Sequence, residues 1–89
     1  MGTHLIDAVE AMAQDAALAA TRARARKIEL ASVCRQWRDI RGLVPQEPRH
    51  DAVNDAMEQA EFFGTTHARP LYEAIARYAL WFEGYSFAR

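Results

Sequence analysis

Arg22, Arg24, Arg26 and Lys27 put four cations into six residues, the densest cluster of chemistry-bearing side chains in this 89-residue chain. Guanidinium and ammonium groups at that density suit an anion or an acidic partner surface, because charge-assisted hydrogen bonds to carboxylate or phosphate are the strong ones. On a helix, steps of about 100° spread these cations, so that Arg22 and Arg26 share one face and Arg24 and Lys27 another. A stripe that tracks a nucleic-acid backbone would be narrower. A net charge of −1 and a pI near 6.3 also lack the electrostatic footprint of a nucleic-acid binder. The run is therefore read as a site for a partner protein or a small anion, with Arg26 as a register device or the floor of an anion site.

Catalytic chemistry has less to work with. His4, His50 and His67 stand far apart, and no two of them share the spacing of a helical metal site. His50 reads as a solvated surface residue. Asp51, Asp55 and Glu58 fall on an outward face and read as solvated charges rather than an acid/base pair. Four glycines form no phosphate-cradling loop, and Cys34 would need a base from another segment to act as a nucleophile. A single cysteine forms no internal disulfide, which fits a buried reduced thiol in a cytoplasmic protein. No catalytic residue, metal ligand or cofactor is expected, and the chain is read as a non-enzyme. A helix-turn-helix is also weighed at Ala60 and Gly64, but Gln59, Thr65, Pro70 and Glu73 would fall where that motif needs buried or helical positions.

The elements that position these residues are helices. From Leu5 through Val9, Met12, Ala16, Ala19, Ala23, Arg26, Leu30, Val33 and Trp37 to Ile40, a small or apolar side chain recurs on a 3.5-residue beat, interrupted only by Arg26. With no Gly or Pro inside it, the stretch predicts one long α-helix over about 4–41. Such a rod is roughly 54 Å long at 1.5 Å per residue, whereas a domain of this size is about 30 Å across. A coiled-coil-like seam longer than its own domain predicts a homo-oligomer. Pro48 near a first helical turn and Gly64 after the last predict a second helix over about 48–63, with Val53, Met57, Ala60 and Phe63 inward. A third is predicted over about 70–83, and short loops make these two antiparallel.

The third segment is apolar almost all round, since between Leu71 and Phe82 only Glu73 and Arg77 are charged. One face is expected on the first helix and the other on a second copy or a target. Val33 and Trp37 on the seam, with Trp81, Tyr85 and Phe87 near the C-terminus, are the predicted interface. Residues 1–41 carry seven basic and five acidic side chains, residues 42–89 four and seven. The halves attract, and pairing of the second helix with the basic end of the first is the structural account of both patches. Hydrophobic residues at 51% exclude a disordered chain, and the length allows one all-α helical-bundle domain, 1–89. Gln14 and Asp15 interrupt the alanine-rich stretch that a secretory signal would need, Ile6 stands where a myristoylation signal wants Ser or Thr, and no apolar run is long enough to span a membrane.

The stretch Leu43-Val44-Pro45, Arg49, the run from Met57 to Gly64 and Ala68-Arg69 resembles the helical hairpin of phage proteins that sequester cyclic oligonucleotide signals of the bacterial CBASS defence. His50, Phe63 and Thr65 depart from that family's acidic residue, tryptophan and asparagine, and the C-terminal helix is extra to it. The resemblance implies a small homo-oligomer that binds cyclic nucleotides at subunit junctions, and it assigns no residues here. The function expected from the whole chain is that of a small helical protein-interaction module, a phage- or plasmid-encoded inhibitor of bacterial defence of the anti-CRISPR kind, acting on a partner protein. The alternatives are a homo-oligomeric sponge for cyclic nucleotides or other small anions, and a nucleic-acid-associated regulator, the latter disfavoured by the charge.

Overall fold

The computed structural model describes residues 2–87, with side chains from His4 to Tyr85. Four α-helices account for most of it: α1 (Gly2–Ala20), α2 (Lys27–Ile40), α3 (Pro48–Phe63) and α4 (Ala68–Phe87), the last two joined by a 3₁₀ turn, Gly64–His67. Among the described residues there is no strand.

The predicted rod over 4–41 is two helices. At Thr21 the bonding tightens to i→i−3: the Thr21 backbone N–H and hydroxyl both donate to Leu18 O, at 3.1 and 2.6 Å, and Arg22 N–H donates to Ala19 O at 3.2 Å. These bonds satisfy carbonyls that α1 would otherwise leave open. Arg26 then turns extended (φ −102°, ψ 136°) as the N-cap of α2, and its carbonyl accepts Leu30 N–H at 3.0 Å. Straightening this turn would also set Arg22 and Arg26 one helical turn apart as like charges. Folding back gains more: Val9, Met12, Ala16 and Ala19 from α1 and Leu30, Val33, Trp37 and Ile40 from α2 are all buried in one core. The longest dimension is 38 Å, well short of the rod. The seam that called for a second copy is closed within one chain.

The boundaries of α3 match expectation. Glu47 caps its start by accepting Arg49 N–H, Pro48 occupies the first turn, and Gly64 ends it at φ 83°, ψ −153°, a positive-φ region open essentially to glycine alone. The third predicted helix is longer than 70–83. The Thr65-Thr66-His67 stretch winds into the 3₁₀ turn and runs into α4 at Ala68, and Pro70 is tolerated in that first turn, where its missing N–H is not needed. The all-round apolar character of α4 is explained by its place: it packs on both α1 and α3. Ala68, Leu71, Tyr72, Ala74, Ile75, Tyr78 and Phe82 are buried there, so most of the greasy surface finds partners inside the chain, while Leu80 stays exposed.

At the start of α3, three rings from three helices meet. Trp37 lies 4.8 Å from His50 and 5.3 Å from Tyr78, and His50 lies 5.8 Å from Tyr78, all centroid to centroid. Each ring also makes a polar bond: Trp37 Nε1 donates to Asn54 Oδ1 (2.7 Å), His50 Nε2 to Arg41 O (2.8 Å) and the Tyr78 hydroxyl to Pro45 O (2.7 Å). Two of those carbonyls belong to the connection between α2 and α3. His50, expected on the surface, is instead only 3% exposed, because the backbone carbonyl of Arg41 and the Trp37 ring supply the partners that make its burial affordable.

Candidate functional site

The C-terminal end of α3 differs in kind. Its inward line is His50, Val53, Met57 and Ala60, so Phe63, expected on that line, is 51% exposed and Phe62 is 81% exposed. The two rings meet edge to face at 4.8 Å, and Phe63 stacks on His67 of the 3₁₀ turn at 4.5 Å. Beside them runs a groove of about 640 Å³ between α2 and the end of α3. Leu30, Ala31, Cys34 and Ala60 line it, while Lys27, Phe63 and Thr65 are at its edges. An ion pair, Arg38 with Glu61, bridges the two helices along it, which realises part of the expected attraction between the chain's halves.

Cys34 lies on that groove but is buried, and burial together with the Glu61 carboxylate pushes its thiol up against the opposing pull of Arg38. A thiol held protonated is a poor nucleophile. Among the described residues no group of three His, Cys, Asp or Glu side chains is placed to hold a metal ion. Asp51, Asp55 and Glu58 are exposed on α3. No described helix is long and apolar enough to cross a membrane.

The basic run does not form one surface. Arg22, Arg24 and Arg26 are exposed in the turn between α1 and α2, with Arg22 Nε 3.2 Å from Glu29 Oε2, and Lys27 opens α2 beside the groove. The structure instead joins Arg22 to residues more than forty positions away: it lines a small cavity of about 170 Å³ with Thr65, Thr66, Arg69 and Tyr72. The predicted interface also divides. Val33 and Trp37 are fully buried in the chain's own core and have no surface to offer, because α2 folds against α1 instead of extending it. Trp81 and Tyr85 stack on each other at 5.1 Å and lean on the core through Tyr78 and Phe82, which leaves them half-buried. The side chain of Phe87 lies outside the described residues.

Sequence reasoning missed Phe62, whose position one residue before an apolar line carries no sign of exposure, and Arg69, whose partners are remote in the chain. Comparison with known proteins finds no protein family, no curated protein and no solved structure that matches this chain.

Proposed function

We propose that the chain is a non-enzymatic helical module that docks onto a partner protein through the end of α3, with Phe62 and Phe63 as anchors and the groove between α2 and α3 as the receiving surface. The observation that supports this is the pair of adjacent, exposed aromatic rings, of which Phe63 lines the groove and Phe62 packs edge to face against it. Two large rings in contact with each other make a contiguous exposed apolar patch, and aromatic anchors flanked by Arg and Lys are what interface hot spots are built from. Lys27 and Arg38 provide such a polar rim. Such a module acts by covering a surface of its target, the manner expected of a phage- or plasmid-encoded inhibitor.

The test is a side-by-side capture from a bacterial lysate with wild-type chain and a Phe62→Ala/Phe63→Ala variant. Because both rings are exposed, the variant should melt as wild type does, within about 0.5 kcal/mol, and lose a protein that the wild type retains. Identical capture by the two forms, or none by either, would sink the proposal.

A further inference from the structure

The small cavity lies where the turn after α1 meets the start of α4, and its lining is unusually rich in hydrogen-bond donors. Arg22 and Arg69 supply guanidinium groups, and Thr65 and Thr66 supply hydroxyls. Arg69 is exposed, with no ion pair among the described residues. Arg22 uses its Nε on Glu29, which fixes the guanidinium and leaves its two Nη groups as donors. The positive end of the α4 dipole adds to the same field, with no acidic residue in that helix's first turn to offset it.

A separate observation says that something is missing. Tyr72, only 4% exposed, lines the cavity, and its hydroxyl is buried with no hydrogen-bond partner. Buried hydroxyls are nearly always satisfied, so an orphan beside a cavity marks a place for a ligand atom. Burial and the nearby Glu29 carboxylate hold the phenol above its ordinary range, which keeps the proton on it and makes it a donor. Glu29 is the acidic group that faces Tyr72; Arg22 meets it at Oε2, while its Oε1 is buried without a partner, as the Tyr72 hydroxyl is.

We propose that this cavity binds a phosphate-type oxyanion, held by Arg22, Arg69, Thr65, Thr66 and the orphan hydroxyl of Tyr72. Its volume suits a compact tetrahedral anion, and five donors from three separate segments match an acceptor with oxygens on every side. A free phosphate and the phosphate of a monoester present the same chemistry. Thr65 also lines the larger groove, so the body of a monoester has a place to lie beyond the cavity.

The experiment titrates inorganic phosphate and a nucleoside monophosphate separately into the full chain, read by phosphorus NMR and by melting temperature against chloride at matched ionic strength. Wild type should show saturable binding, and tighter uptake of one titrant identifies the source of the anion. Tyr72→Phe removes only an unsatisfied hydroxyl, so it should melt no lower than wild type in chloride yet bind about tenfold more weakly. Arg69→Gln should abolish binding, whereas Arg35→Gln, an equal charge change at an exposed site outside the cavity, should not. The proposal is overturned if neither titrant binds saturably, or if Tyr72→Phe and Arg69→Gln bind as wild type does.

Discussion

The two ends of α3 treat aromatic and polar groups in opposite ways. At its start, Trp37, His50 and Tyr78 are packed ring against ring, and each also spends a donor on a neighbour in the chain. His50 Nδ1 is the exception there, buried without a partner. At its end, Phe62 and Phe63 stand in solvent, and nearby Tyr72, its hydroxyl buried and unpaired, lines a small cavity with two arginines. A fold concentrates its internal bonds where it needs cohesion. The exposed aromatic pair and the cavity arginines lie toward the other pole, which is where an external ligand or partner finds something to bind.

The contrast is broken most severely at the knot. Trp37→Ala removes the largest fully buried side chain and the shorter of the two bonds to Asn54 Oδ1, leaving only that from Arg41, so denaturant unfolding should show a loss of about 3–5 kcal/mol. A loss below about 1 kcal/mol would mean that the knot is not where cohesion resides. Tyr78→Phe keeps the ring and removes the bond to Pro45, at a cost of about 1–2 kcal/mol.

The same phenol gives the knot a pH signature. Burial, reinforced by Glu47 and then Tyr85, raises the Tyr78 phenol, so the folded state favours its protonated form. That stability is complete below the unfolded tyrosine value of about 10 and is lost as pH climbs above it. Tyr72, also raised, acts in the same direction. Unfolding free energy should therefore fall above about pH 10, and less steeply in Tyr78→Phe; an identical slope in the variant would dissociate Tyr78 from the effect.

Effects should shrink toward the other pole. Gly64→Ala meets no neighbouring atom, so its cost is backbone strain alone at φ 83°, about 1–3 kcal/mol. Phe62→Ala/Phe63→Ala should be nearly silent in stability and visible only in binding. If that double change destabilised the chain as much as Trp37→Ala does, the two poles would not differ, and the exposed rings would have to be counted as core.

These poles were unequally legible in the sequence. Proline and glycine marked both boundaries of α3 because they restrict their own backbone, a local effect that needs no fold. The break at 21–26 was hidden because Ala23 happens to keep the seam's spacing through it; Thr21 was the one local sign, and a threonine inside a helix is a weak one. His50 sits between Arg49 and Asp51 and reads as surface until Arg41 O and Trp37 arrive from α2. The cavity was half visible through Arg22. Its other members lie more than forty residues on, and only the packing of α1 against α4 brings the two segments together.

The connection between α2 and α3 has a dynamic consequence. Although it has no regular structure, it is fastened to the core at both ends of the segment, at Arg41 O by His50 and at Pro45 O by Tyr78, while Leu43 and Val44 N–H bond back to Ile40 O. Opening it means taking the rings apart. In amide hydrogen exchange the Leu43 and Val44 protons should then belong to the slowest cooperative unit and exchange only through global unfolding. The turn after α1 is held by short-range bonds at exposed residues, so Thr21 and Arg22 should exchange through local opening, orders of magnitude sooner.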